Sequence, residues 1–173
     1  MFNTIGIITK PDDPISQGVA NELNVFLEEK GVGVIQGDEQ IAEQADLIVV
    51  VGGDGSLLNT ARTFVDNNIP ILGINLGRLG FLADISVGKM FDILTQVLEG
   101  KFTKEERYLL SCQIEQDGKI VRQSVALNDA VVNRQDALKM IEFDVYIDGK
   151  FVNNQRADGL IITTPTGSTA YAL

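Results

Sequence analysis

Residues 49–62 read VVVGGDGSLLNTAR. Three valines run into Gly52-Gly53-Asp54-Gly55, and apolar residues at Leu57, Leu58, Ala61 and Val65 then fall at helical spacing. A short continuous apolar run, a glycine turn and an amphipathic stretch together predict a buried strand that feeds a helix. That order, repeated along a chain, marks a parallel sheet with helices on its faces.

The flanking segments repeat it. Thr4–Thr9 (TIGIIT) predicts a first strand, and Ile15, Val19, Leu23, Phe26 and Leu27 mark a helix that Gly31 stops. Val32–Ile35 is a second strand, a helical turn fits Ile41 to Ala45, and Leu47–Val51 is the third strand. Pro70–Ile74 gives a fourth, and Met90, Phe91, Leu94, Val97 and Leu98 give a helix closed by Gly100. From Lys101 the texture becomes β-rich, with Asp117-Gly118 and Asp148-Gly149 placed as hairpin turns. The expected fold class is therefore an α/β domain with an open parallel sheet over residues 1–100. An antiparallel β-rich domain begins at 101–173. RADGLIITTPTGSTAYAL ends on what reads as the first turn of a helix. One turn does not sustain itself, so the expectation is an N-terminal fragment of a longer protein.

Composition narrows the chemistry. A net charge of −10 over 173 residues argues against nucleic acid or an anionic membrane as partner. No run of about 18 apolar residues offers a membrane span, and MFNTIGIITKPDDP lacks the basic start and apolar core of a signal peptide. A soluble, cytoplasmic protein is the expectation. Histidine is absent, which removes Ser-His-Asp and Cys-His catalysis and leaves carboxylates as acid–base groups. Cys112 stands alone, with no disulfide or zinc framework, and reads as a small core residue. No metal-ligating set is assigned.

In an open parallel sheet, ligands sit beyond the carboxyl ends of the strands. Gly52, Gly53 and Gly55 are expected to let the backbone approach a ligand and to adopt positive φ. The helix behind them offers N–H groups to phosphate oxygens, and Asp54 is aimed at the molecule that carries the phosphates. The plainer reading is a tight turn in which Asp54 caps the helix; both can hold together. NLGRLGFLAD (75–84) repeats the design, with Arg78 either meeting a phosphate or solvated on its loop. In LNDAVVNR, Asn128 and Asp129 either serve ribose hydroxyls and a base edge or form an ordinary turn. TTPTGSTAYAL carries hydroxyls at Thr163, Thr164, Thr166, Ser168 and Thr169, as donors to a ligand or as a simple helix cap. GVGVIQG (31–37) precedes a strand and has the wrong spacing for a dinucleotide fingerprint, and Gly88-Lys89 lacks the rest of a P-loop. Three glycine-rich turns with hydroxyls, carboxylates and few cations suit a phosphate-bearing polyol.

GGDGSLLNTAR, NLGRLGFLAD, LNDAVVNR and RADGLIITTPTGSTAYAL, in this order, resemble the bacterial NAD kinases. The resemblance implies phosphoryl transfer from ATP to the 2′-hydroxyl of the adenosine ribose of NAD, with a divalent metal (Mg²⁺ or Mn²⁺). It implies Asp54 as general base, with Gly55 beside the dinucleotide. It further implies NAD contacts at Asn128, Asp129, Lys139, Arg156, Asp158, Thr169, Ala170 and Tyr171, and a homodimer or tetramer. Asp129 stands where the family commonly has glutamate. Two other readings remain: a lipid or sugar kinase built on GGDG, told apart by its acceptor, and a non-catalytic nucleotide-binding module, told apart by binding without turnover. The isolated chain is expected to have little activity.

Overall fold

The computed structural model describes residues 2–10, 12–77, 80–83, 85–135 and 139–169. The chain divides into two compact units, Met1–Glu106 and Arg107–Leu173.

The first unit is built on five parallel strands: β1 (Thr4–Thr9), β2 (Gly33–Ile35), β3 (Leu47–Gly52), β4 (Ile71–Asn75) and β5 (Ile85–Ser86), in the spatial order β2-β1-β3-β4-β5. Every residue of β3 is buried. Because side chains alternate along a strand, Leu47, Val49 and Val51 enter one core while Ile48 and Val50 enter the other. The first core takes Val19, Leu23 and Leu27 of α1 (Pro14–Glu29) and Met90, Leu94 and Val97 of α4 (Met90–Leu98). The second takes Ile41 of α2 (Asp38–Gln44) and Phe64, just beyond α3 (Asp54–Thr63). The continuous apolar run at 47–51 is thus the wall shared by two cores.

Local chemistry sets the helix ends. The Asp13 side chain accepts from Ile15 N–H at 3.1 Å, and Pro14 opens α1 where its missing N–H costs nothing. Behind that helix Gly31 takes φ 73°, the left-handed exit that glycine tolerates best. Three details differ from expectation. The segment at 41–45 is a longer helix starting at Asp38, and β2 begins at Gly33. The two-residue β5 has too short an apolar run to be seen in sequence.

Among the described residues the strands of the second unit form three antiparallel pairs. These are β6 (Leu110–Gln116) with β7 (Lys119–Ala126), β9 (Ile141–Ile147) with β10 (Lys150–Ala157), and β8 (Asp129–Asn133) with β11 (Gly159–Thr163). Asp117-Gly118 and Asp148-Gly149 close the first two, and all four residues have φ between 51° and 73°. Both central residues are left-handed, as the tight hairpin turn requires. Cys112 is half-buried on β6, not a core residue, because this unit has little core to offer it. Among its described residues Leu127 is the only apolar side chain that is buried.

Leu23→Ala, in the first unit's core, should lower the unfolding free energy by about 2–5 kcal/mol in urea denaturation. Ile162→Ala removes a side chain that is 48% exposed and should cost about 1 kcal/mol or less.

Candidate active site

At the carboxyl end of β3 the chain turns through Gly52 and Gly53 and enters α3 at Asp54. The glycines do not take the positive φ expected of them; Gly53 sits at φ −102°, ψ −173°, and neither Gly52 nor Gly55 is left-handed. Gly53 and Gly55 are exposed, and a Cβ on either would meet nothing within 4 Å. Their bareness therefore serves neither turn geometry nor packing, and leaves open space over the first turn of α3. The leading N–H groups of a helix have no intrahelical partners, and no side chain caps this one.

Asp54 is the first residue of α3 and does not cap it. Its half-buried carboxylate instead accepts three backbone N–H bonds from the segment after β4. Phe81 N–H reaches Oδ2 at 2.8 Å, while Leu82 N–H and Ala83 N–H reach Oδ1 at 3.1 and 3.0 Å. Burial pushes the Asp54 pKa up, but the N–H groups of Ala83, Phe81 and Leu82 together outweigh it and hold the carboxyl below its ordinary value. Asp54 is accordingly an anion at neutral pH. Gly80 makes the approach possible, because a Cβ there would fall on the Asp54 carboxylate. Asn75, at the end of β4 and level with Gly52 of β3, holds the same segment from the other side. It accepts from Gly77 N–H at 2.8 Å and donates to the Ala83 carbonyl at 2.9 Å.

Within the second unit, β8 and β11 bring the Asn128-Asp129 and TTPTGST blocks together, with Asp129 level with Thr163. Asn128 donates to the Asp129 carboxylate at 2.8 Å. The Asn128 carbonyl accepts from Thr164 N–H at 2.9 Å, from the Thr163 hydroxyl at 3.1 Å and from the Thr164 hydroxyl at 3.2 Å. Thr164 is buried and also donates to the Leu127 carbonyl at 2.6 Å. Thr166 is buried and accepts from Arg107 at 3.2 Å. Ser168 and Thr169 are exposed in a 3-10 turn, and Ser168 bonds back to the Pro165 carbonyl at 2.8 Å. Asp158 pairs with Arg134 at 3.1 Å. Arg156 lies opposite Glu142 in the β9–β10 ladder, and Lys139 is exposed. Arg78, Ala170 and Tyr171 lie outside the described residues.

Sequence reasoning gave no role to Asn75, Arg107 or Arg134, and took Gly80 only as part of a glycine-rich turn. The polar Asn75 closing an apolar strand, two residues before a glycine, was the available signal for an Asx-type turn.

Gly80→Ala should cost about 1–3 kcal/mol by crowding the carboxylate, and much less in an Asp54→Ala background, as a double-mutant cycle of urea unfolding will read. Because the native pKa of Asp54 is depressed, its contribution to stability is complete above the unfolded carboxylate value and is lost as pH falls through the native one. The stability gap between wild type and Asp54→Asn should therefore narrow on acidification, measured by urea unfolding across that range.

Residues 35–102 match the ATP-NAD kinase N-terminal domain, and residues 127–173 match the ATP-NAD kinase C-terminal domain. An NAD kinase of Aromatoleum aromaticum is 49% identical over 159 residues, covering 92% of this chain and 52% of that protein. One from Hydrogenovibrio crunogenus is 44% identical, covering 100% of this chain and 66% of its own length. The chain thus spans between half and two thirds of these relatives. Among solved structures, yeast NADH kinase complexed with NADH aligns with a TM-score of 0.89 at 26% identity, over 98% of this chain and 60% of the other. An Archaeoglobus fulgidus NAD kinase in complex with ATP aligns at 0.75 and 28% identity, over 98% and 64%. Matched in order along both its units by the two domain models, and similar in sequence to bacterial NAD kinases, the chain belongs to the ATP-NAD kinase family.

Proposed function

We propose that the protein carrying this chain transfers the terminal phosphoryl group of ATP to the 2′-hydroxyl of the adenosine ribose of NAD, giving NADP. The observation that carries this reading is the Asp54 carboxylate, fixed and anionic, beside the open first turn of α3. The backbone N–H groups of the exposed Gly53 and Gly55, at the start of α3, suit phosphate oxygens. Asn128, Asp129, Arg156, Asp158, Thr166, Ser168 and Thr169 are assigned to the dinucleotide, together with Lys139, Ala170, Tyr171 and, for a phosphate, Arg78.

Phosphoryl transfer depends more on positioning and charge neutralisation than on covalent chemistry, and bonding to the acceptor lags behind departure of the leaving group. A carboxylate of low basicity suits that order. Asp54 orients the ribose hydroxyl through a hydrogen bond and takes its proton late, as the new P–O bond forms. Its N–H partners keep it deprotonated and pointed while it waits. Among the described residues no group of three or more His, Cys, Asp or Glu side chains could hold a metal ion. Mg²⁺ or Mn²⁺ is assigned to the ATP as part of the substrate, where it would offset triphosphate charge. A cytoplasmic homo-oligomer is the matching assembly and location. Among the described residues no helix is long and apolar enough to cross a membrane.

Incubation of the intact protein with ATP, Mg²⁺ and NAD should give NADP, and Asp54→Asn should lower turnover by about 10²–10⁴-fold. Absence of NADP, or full activity in Asp54→Asn, overturns the reading. Gly55→Ala adds a methyl group to open space and should stabilise the fold by roughly 0.5–1 kcal/mol. If phosphates approach there, the same variant raises the KM for ATP, so stability and activity move in opposite directions.

A further inference from the structure

The geometry points to Asn75 as a positioning residue for Asp54: its buried side-chain amide clasps the segment whose backbone N–H groups hold the carboxylate. This rests on the reading of Asp54 as the base.

Asn75 is 5% exposed. Its Oδ1 takes Gly77 N–H at 2.8 Å and its Nδ2 gives to the Ala83 carbonyl at 2.9 Å, so one side chain holds both Gly77 and Ala83. Ala83 is where the two sets of bonds meet. Its carbonyl is held by Asn75, and its own N–H holds Asp54 Oδ1 at 3.0 Å. The Ala83 carbonyl also receives Gly80 N–H at 3.3 Å, which draws the segment into a turn around the same point. Gly80 is the residue whose missing side chain lets this turn lie against the carboxylate. The donors Phe81 and Leu82 lie in sequence between Gly77 and Ala83, the two residues that Asn75 bonds, and the third donor is Ala83 itself. Removing the amide releases both ends at once, and the donors lose their aim.

The consequence differs from simple loss of stability. A carboxylate displaced by about 1 Å from its reacting hydroxyl costs as much as 10²-fold in rate while leaving substrate contacts intact. Fewer N–H bonds also leave the carboxyl easier to protonate.

The test is a ¹³C NMR titration of the Asp54 carboxyl carbon in the 173-residue chain, for wild type, Asn75→Ala and Asn75→Ser. Serine retains a hydroxyl able to accept from Gly77 and keeps the measurement possible where alanine unfolds the chain. Thr60→Val is the control. Thr60 is buried on the helix that begins with Asp54 and donates to the Ser56 carbonyl at 3.0 Å, so its loss loosens the helix without touching the clasp. Both Asn75 variants should raise the Asp54 midpoint, and Thr60→Val should not. In the intact enzyme the Asn75 variants should lower kcat about 10- to 100-fold and change the KM for NAD less than about threefold. An unchanged Asp54 midpoint in the Asn75 variants, or an equal shift in Thr60→Val, overturns the inference. If the midpoint shifts as expected but Asp54→Asn retains turnover, the clasp stands and the base assignment fails.

Discussion

The site in the first unit depends on a carboxylate gripped by backbone. Asp54 accepts from N–H groups that lie 27, 28 and 29 residues further along the chain. These bonds tie the turn after β3 to the segment after β4, so neighbouring strands share one constraint at their carboxyl ends. Backbone donors on a closed segment have little freedom to lose, and a charged acceptor makes each bond stronger than a neutral one. The arrangement fixes where the carboxylate points and keeps it ionised, at the cost of basicity. That trade suits a reaction limited by alignment of phosphorus and acceptor more than by proton affinity.

Glycine does two separate things around this group. Gly80 is bare because the carboxylate occupies the place of its side chain. Gly53 and Gly55 are bare with nothing opposite them and ordinary backbone angles, so their missing side chains create free surface at a helix start. The first is a packing requirement internal to the chain. The second leaves room beside the helix start that no atom of the chain fills within 4 Å of the missing Cβ. The turn after β3 thus sets a carboxylate tied to the chain at Asp54 between two bare positions that face open space.

Much of the first unit was legible because its signals are local. The apolar run at 47–51 declared a fully buried strand, and glycines after α1 and α4 declared the helix ends. The Asp-Gly pairs declared both hairpins for the same reason. What stayed hidden was non-local. The pairing of β8 with β11 joins residues some thirty positions apart, and nothing in either segment encodes its partner. The partners of Asp54 were invisible because they are backbone N–H groups, which every residue but proline carries. The sequence offered Asp54 as a ligand-facing carboxylate or a helix cap, and gave no sign of the three donors that already fill much of its hydrogen-bonding capacity. The roles of Asn75 and Gly80 follow from the same closure and could be seen only once it was.

The β8–β11 pair carries Asp129 and Thr163 at one end, yet along its length Val131, Val132, Ile161 and Ile162 are each 40–56% exposed. A two-stranded ladder rich in β-branched side chains is a template for strand addition by another chain. The net charge of −10 opposes such encounters through mutual repulsion. Added salt screens that repulsion while leaving the apolar contact intact. Ionic strength therefore weighs against this chain's own charge and in favour of its exposed ladder: salt weakens the repulsion between copies and leaves the apolar strand face as it was.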